Sequence, residues 1–516
     1  MPSSIYSLRG EPFGSNIALE IGYSNQRFIM SNIEIAVAKG DGIGPEIMDA
    51  VLGIFKAAKV PLAYHTIEMG KAFYDKGFST GMSPEAKETV ERLGILFKGP
   101  METPKGKGVK SINVTARKVW STYANRRHFR TLQGVDTIYS KAGIPIDLTI
   151  VRENIEDTYG GIEHMLTNDV ALCRRFITRT GSLQVCRFAF EMARREGFKK
   201  VACGHKANIM KLTDGLFLEC FYEVAKDYPE IQAYDVIVDD LCMKLTTRPN
   251  EFQVVVLPNL QGDIVSDLCA GLVGGLGFAP SANIGDNISI FEAVHGTAPD
   301  IAGKNIANPT SLLLSGVMML RHLGLYSYAE TISNALFYTL EQGEHTGDFG
   351  DKLIPSSSTS EFAEIIIGNL GKKPKKHPSH IAPEDVQAYK LPKSPSEFHV
   401  MASGKEAKDE LIGVDIFLES EAQPAVIAGT VKSFLKDNMQ LVMISNRGTQ
   451  VWPEGSLFTE CVNQWRVRVE RKPNQIISSQ EVYSCVSQLS EQLFVSSTEM
   501  LRNFNGKAGY SLAQGQ

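Results

Sequence analysis

Asn259-Leu-Gln-Gly-Asp263-Ile-Val-Ser-Asp267 is the stretch on which the fold and the chemistry of this chain turn. Before it runs Phe252-Gln-Val-Val-Val-Leu257, a β-branched segment that reads as a buried strand. A helix opening near Gly262 would set the two aspartates a turn apart on one face. Two carboxylates at a strand-to-helix turn suit a hard cation, because Mg²⁺ is commonly held by one or two carboxylates plus substrate. The same acids also suit the positive end of a helix dipole with no metal at all. The segment 268–276 is apolar but glycine-rich, which predicts an interrupted stretch, not an ordinary long helix.

Upstream, residues 33–38 read as a strand, followed by Lys39-Gly40-Asp-Gly42-Ile-Gly44-Pro45-Glu46 and a helix over 45–59. A dinucleotide fingerprint is incomplete here, since Ile47 stands where the third glycine belongs, and Gly303-Lys304-Asn305 is not a P-loop. The expectation is a tight turn. Residues 94–97 read as a further strand. Ser111-Ile-Asn113-Val-Thr-Ala-Arg117, Arg126-Arg127 and Val151-Arg152-Glu153 then supply four arginines with Ser and Asn donors. Guanidinium forks bind carboxylates bidentately, so the four together suit a small polycarboxylate, although each arginine singly reads as surface. Lys211 precedes a helix for which Thr213 or Asp214 reads as the N-cap; the dipole there disfavours its charge and would suit proton transfer, while a solvent-facing lysine is the more common case. Asp239-Asp240 ends a strand over 234–238 and offers a third carboxylate.

The chain has 516 residues, 43% hydrophobic and 22% charged, with a net charge of −5, which is the profile of two to four soluble globular domains. That charge argues against a general nucleic-acid binder, and no apolar run is long enough to span a membrane. The eight cysteines form no C-x-x-C pair or zinc spacing and read as reduced thiols of a cytosol-like compartment, cytoplasmic or, in a eukaryote, the mitochondrial matrix. Residues 1–29 lack the apolar core of a secretory signal and read as a flexible extension, or as a start assigned too early. Residues 371–396 hold six lysines and five prolines, a solvated spacer. Beyond it, strands over 413–418, 440–445 and 465–470, a helix over 424–437 and a closing helix over 487–503 predict a separate α+β domain.

Asn259–Asp267, Ala282-Asn-Ile-Gly-Asp286 and His295-Gly-Thr-Ala-Pro299, in this order and spacing, resemble the decarboxylating isocitrate dehydrogenases of the isocitrate/isopropylmalate dehydrogenase family. The branch resembled is the one with an extra C-terminal domain. The likeness runs over 33–351 and, more loosely, through Ser445-Asn-Arg-Gly-Thr-Gln-Val-Trp452. It implies an α/β fold of that family's type, not a Rossmann fold, with an added small α+β C-terminal domain. The implied division is a large domain at 30–123 and 274–370, a small domain with a dimer clasp at 124–273, a linker at 371–395 and the C-terminal domain at 396–516.

By position, the resemblance makes Ser111, Asn113, Arg117, Arg127 and Arg152 the substrate-carboxylate binders and Tyr159 and Lys211 the catalytic pair. Asp239, Asp263 and Asp267 become Mg²⁺ or Mn²⁺ ligands, with Lys211 and Asp239 supplied by the neighbouring subunit of a homodimer. Lys98 and Thr103 fall near substrate and nicotinamide, while His295, Gly296, Thr297, Ala298, Asp300, Ile301 and Asn308 form the coenzyme site. The implied reaction is oxidation and decarboxylation of isocitrate to 2-oxoglutarate, a step of the tricarboxylic acid cycle. NADP users of the family have Lys-Tyr after His-Gly-Thr-Ala-Pro, with a Tyr and an Arg downstream. Here Asp300-Ile301, Gly347 and Asp351 stand instead. A carboxylate accepts bonds from free ribose hydroxyls and repels a 2′-phosphate, so NAD is expected, with NADP the alternative that the retained Arg248 supports. Homoisocitrate- or isopropylmalate-type activity and a non-catalytic regulatory subunit are the remaining alternatives.

Overall fold

The computed structural model describes residues 32–78, 80–102, 111–376 and 408–512. The expected 1–29 extension, Thr103 and residues 377–395 of the spacer lie outside the described residues. In chain order the strands are β1 (Ile33–Ala38), β2 (Leu62–Thr66), β3 (Ile95–Lys98), β4 (Ala124–Arg130), β5 (Asp147–Glu153), β6 (Glu163–Met165), β7 (Ala171–Cys173), β8 (Lys200–His205), β9 (Gln232–Ile237), β10 (Val254–Leu257), β11 (Pro280–Ile284) and β12 (Ser289–Ala293). Six more follow: β13 (Asp409–Glu419), β14 (Met439–Asn446), β15 (Thr449–Trp452), β16 (Gln464–Arg471), β17 (Phe494–Phe504) and β18 (Lys507–Ala508).

Ten strands form one sheet in the order β2-β1-β3-β12-β11-β4-β5-β10-β8-β9. β2, β1, β3 and β12 are mutually parallel, as are β5, β10, β8 and β9. Between these halves the pairs β12–β11, β11–β4 and β4–β5 are antiparallel. The two parallel halves therefore run in opposite directions and meet at the centre of the sheet. Strands such as Val254–Leu257 are buried along their whole length, as expected where helices cover both faces.

Alternation along each strand divides the cores. Ile35 and Val37 pack with the helices Gly44–Ala57, Thr310–His322, Tyr326–Glu341 and Thr359–Gly368, while Ala36 and Ala38 face a second core with Val90 and Trp120. In the other half Ile150 and Leu257 pack with the helices Val238–Thr247 and Asn259–Leu272. Val151 and Val256 pack on the opposite face with Arg179–Glu196 and Thr213–Ala225.

Residues 409–512 form a second, antiparallel sheet, β15-β14-β16-β13-β17-β18, whose buried face packs against the helices Pro424–Ser433 and Ser479–Leu489. Arg174, just after the β6–β7 hairpin, meets Glu499 of β17 at 2.7 Å, tying this sheet to the rest of the chain. The segment 487–503 is not a closing helix. Its helix starts earlier, at a Ser478/Glu481 capping box, and Phe494–Phe504 is a strand paired with β13 along its length. Val495 and Thr498 suit the strand, and β13 supplies partners that local helix propensity cannot.

Three further local expectations are corrected. The Asp263 helix opens at Asn259 and runs unbroken to Leu272, because Gly262 and Gly271 cost less than the burial of Val265, Cys269 and Leu272 contributes. Asp239 and Asp240 do not end a strand but occupy the first turn of Val238–Thr247, where the dipole favours them. Neither Thr213 nor Asp214 caps its helix; both lie inside it, with Leu212 at the N-cap.

At a register shift in β13, a β-carbon on Gly413 would lie 2.1 Å from the Val469 carbonyl oxygen. Backbone cannot yield as a side chain can. Gly413→Ala is expected to destabilise the C-terminal sheet by about 1–3 kcal/mol, read as faster amide exchange in β13 and β16 with exchange in β10 unchanged.

Candidate functional site

The centre of the large sheet carries polar side chains on one face. On β4, Asn125 and Arg127 point to that face and Arg126 to the other, where Arg126 grips Glu196 at 2.5 and 2.7 Å. The expected four-arginine group is therefore three: Arg126 leaves it because the period of a strand is two. Arg127 donates to Ser266 at 2.6 Å, to Asp267 at 3.2 Å and to Asp263 at 3.4 Å. Arg152, at the end of β5, pairs with Asp263 and donates to Asn259 Oδ1 through Nη2 at 2.8 Å and Nε at 3.0 Å. Its alkyl chain runs so close beneath the helix that a β-carbon on Gly262 would lie 2.7 Å from Arg152 Cγ.

Tyr159 lies on a 3₁₀ turn (Asp157–Gly160) after β5. Its hydroxyl donates to Asp263 Oδ2 at 2.6 Å, and the Arg152 guanidinium stacks on its ring at 4.8 Å. Burial and the bond to Asp263 push the Tyr159 phenol above its usual range, so it keeps its proton at neutral pH. Burial alone would push Asp263 up, but Arg152, Tyr159 and Arg127 hold it below the usual carboxylate range. Asp263 and Asp267 do share a face, 33% and 59% exposed.

A second ionic group adjoins the first. Lys98, fully enclosed at the end of β3, pairs with Glu292 of β12 and donates to Asn113 at 2.9 Å. Arg117 reaches the same Glu292 at 2.9 Å from the helix Ile112–Val119, at whose N-cap Ser111 stands. Burial lowers the Lys98 pKa, and burial would raise that of Glu292 were it not for Lys98 and Arg117, which hold it far below the carboxylate range. Asn283 connects the groups: it donates to Glu292 at 2.7 Å and accepts from Asn125 at 2.9 Å, and Asn125 accepts from Arg127 at 2.8 Å.

The structure does not bring Lys211 or Asp239 to this cluster. Lys211 is exposed in the loop before Thr213–Ala225, and Asp239, 69% exposed, pairs with Lys206. Among the described residues no three acids, histidines or cysteines gather as a metal site.

The coenzyme candidates form a neighbouring surface. The Gly40–Gly44 turn is tight, as expected, and packs on the loop after β12: Ile43 N–H donates to Thr297 O at 2.9 Å, and a β-carbon on Gly42 would lie 2.1 Å from that oxygen. His295 Nδ1 lies 3.0 Å from the Gly296 oxygen, its Nε2 is buried without a hydrogen-bond partner among the described residues, and burial lowers its pKa. Ala298 adopts φ +40°, and Asp300 is exposed beside the half-buried Ile301. Asn308 is buried and donates to Asp348 at 3.1 Å.

A family model described as isocitrate/isopropylmalate dehydrogenase matches residues 34–366, and one described as the bacterial isocitrate dehydrogenase C-terminal domain matches 409–516. The chain belongs to the isocitrate/isopropylmalate dehydrogenase family. It is of the branch with the added C-terminal domain. A relative from Thermus thermophilus named isocitrate dehydrogenase [NADP] is 44% identical over 486 residues, 93% of this chain and 96% of the relative. One from Rickettsia bellii with the same name is 40% identical, over 93% of this chain and 99% of the relative. An Arabidopsis thaliana mitochondrial isocitrate dehydrogenase [NAD] catalytic subunit is 48% identical over 64% of this chain and 87% of the relative. A crystal structure of a Thermus thermophilus protein aligns with TM-score 0.85 and 43% identity, over 94% of this chain and 96% of that one. This family's α/β fold, with a separate antiparallel C-terminal sheet, is the expected architecture.

Sequence reasoning missed Glu292, Asn125, Asn283, Asn259 and Ser266, although all but Asn125 lie inside or beside the quoted motifs. A carboxylate in an otherwise apolar strand, as in Ser289–Ala293, was the available signal. Glu292→Gln leaves the buried Lys98 and the mostly enclosed Arg117 without the carboxylate that pairs with both. A loss of about 3–5 kcal/mol at pH 7 is expected. Because the folded pKa of Glu292 is depressed, its contribution is present above the unfolded value and fades as pH falls below about 4.5. Denaturant midpoints of the two proteins should therefore converge in acid.

Proposed function

We propose that this chain catalyses the metal-dependent oxidative decarboxylation of isocitrate to 2-oxoglutarate. The observation that carries the reading is the convergence of Arg117, Arg127 and Arg152 with Tyr159 and the Asp263–Asp267 pair. Three guanidiniums in partly dry surroundings repel one another, which burial worsens; Arg152 is lowered to about 10 by burial and by Arg117 and Arg127. A tricarboxylate would relieve that repulsion and receive bidentate bonds. Ser111 and Asn113 lie beside Arg117 and are assigned the remaining carboxylate contacts.

Asp263 and Asp267 fit a divalent cation: two carboxylates on one helix face, one of them open to solvent, as Mg²⁺ sites that share their ligands with substrate require. A bound cation would polarise the substrate's 2-oxygen and stabilise negative charge as CO₂ departs. A nicotinamide coenzyme would accept the hydride. Tyr159, whose phenol stays protonated, donates its proton to C3 as general acid. Lys211 and Asp239, supplied by a second copy of the chain because within one copy they stand apart from Asp263, together help remove the single 2-hydroxyl proton. Exposed Ile209 and Leu212 beside Lys211, and Leu260 and Ile264 beside Asp263, support that dimer. Ile264→Arg is expected to raise the monomer fraction in sedimentation and to lower activity in proportion.

Asp300 makes no hydrogen bond or ion pair among the described residues and is available to ribose hydroxyls, which supports NAD as coenzyme. The names of the relatives that match nearly the whole chain support the second reading, NADP. The experiment is the appearance of reduced-nicotinamide absorbance with isocitrate and Mg²⁺, run with each coenzyme. Reduction of NAD with a kcat/KM at least about tenfold above that for NADP is expected. The reverse ratio assigns NADP, and no reduction with either coenzyme overturns the isocitrate reading.

A further inference from the structure

Beneath the proposed proton-handling groups lies an ion bridge that the reaction itself does not use. Asp157 and Asp214 are both fully buried and share Arg175, whose Nη1 also donates to Thr213 Oγ1 at 2.9 Å. The remaining donors come from the surrounding chain. Leu260 N–H donates to Asp157 at 3.0 Å, and Asp214 receives Lys206 N–H at 2.6 Å and Gln261 Nε2 at 2.8 Å. Two buried carboxylates on one guanidinium are a poor source of stability, since desolvation offsets most of the attraction. Asp157 is moreover held at φ +68°, a left-handed conformation that costs an L-residue of this type about 1 kcal/mol or more. An arrangement that is costly in both respects calls for another role.

What the bridge joins supplies it. Asp157 begins the 3₁₀ turn that carries Tyr159. Asp214 pins both ends of the loop that carries Lys211, through Lys206 N–H and its own place in the following helix. Leu260 and Gln261 are in the first turn of the Asp263 helix. We propose that Arg175 is a positioning residue that sets Tyr159 and Asp263 for one active site and Lys211 for the other active site of the dimer. The inference rests on the shared-site reading given above, in which Lys211 serves the second copy. One guanidinium in each subunit then holds parts of both sites. Its neighbour Arg174 faces outward to Glu499, so the C-terminal sheet is anchored one residue away from the bridge.

The test uses full-length mixed dimers purified through two different tags. Arg175→Gln homodimers should lose about 10²-fold in kcat, as misplacement of a catalytic group by about an ångström does, with KM for isocitrate within about twofold because no substrate arginine is altered. A wild-type/Arg175→Gln mixed dimer should have clearly less than half of wild-type activity, because both sites contain a part held by the altered subunit. Half or more would mean that Arg175 acts on one site only and overturns the proposal. The control is a Tyr159→Phe/Lys211→Met mixed dimer. If sites are shared, one site is intact and activity returns from two inactive parents. If none returns, the shared-site reading falls, and the positioning role across sites falls with it. Should Arg175→Gln not fold, Arg175→Lys keeps the charge but cannot fork between two carboxylates. Lowered kcat at unchanged KM and melting temperature is expected of it, and wild-type kcat overturns the proposal.

Discussion

One hydrogen-bonded line of charged and polar side chains runs across the middle of the large sheet, from Lys98 through Glu292, Asn283 and Asn125 to Arg127 and Asp263. It crosses β3, β12, β11 and β4 and ends on the helix Asn259–Leu272. Every member but the part-exposed Asp263 is buried and would be costly alone; each is satisfied by the next. The line works because the two parallel halves of the sheet meet there in antiparallel pairs, which places Asn283 of β11 directly opposite Asn125 of β4 and diagonally across from Glu292 of β12. Polar groups at this seam leave the apolar cores to either side uninterrupted.

The seam also explains why arginines and carboxylates gather here. Each parallel half delivers its chain ends, with loops and helix N-termini, to its own edge, and the short antiparallel strands β11 and β4 between the halves keep the two sets of ends close. In this chain the ends of β5 and β10 bring Arg152 and the Asp263 helix together, while β3 and β12 bring Lys98 and Glu292. The arginines are oriented before substrate arrives because Asp263, Asn259 and Glu292 already hold them. Preorganisation of this kind is paid for in folding and recovered in positioning.

Much of this is legible in the sequence. The strand read over 33–38 is found there and the one read over 252–257 begins two residues later, at Val254, while the Asp263/Asp267 spacing correctly puts both carboxylates on one face. The incomplete glycine pattern at Gly40–Gly44 rightly reads as a turn. The errors have local causes. Arg126 groups with Arg127 only when adjacency in sequence is weighed above the two-residue period of a strand. Phe494–Phe504 reads as helix because nothing within the segment reveals that a long strand, β13, lies far upstream to pair with it. The Ser478/Glu481 capping box, which moves that helix to its true place, is present in the sequence as a Ser-x-x-Glu signal.

The sequence by itself determined the family and most of the buried strands and helices of the large sheet, because periodicity and motif spacing are short-range properties. Only the tertiary structure decided that Glu292 and Asn283 join the arginines, that Asp157, Arg175 and Asp214 form one buried bridge, and that Lys211 and Asp239 stand apart from Asp263 in a single copy. Those facts depend on contacts between segments far apart in the chain. A buried charge does not announce its partner in the sequence. Which carboxylate meets which guanidinium is set by strand order and register, and these emerge only when the whole sheet has assembled.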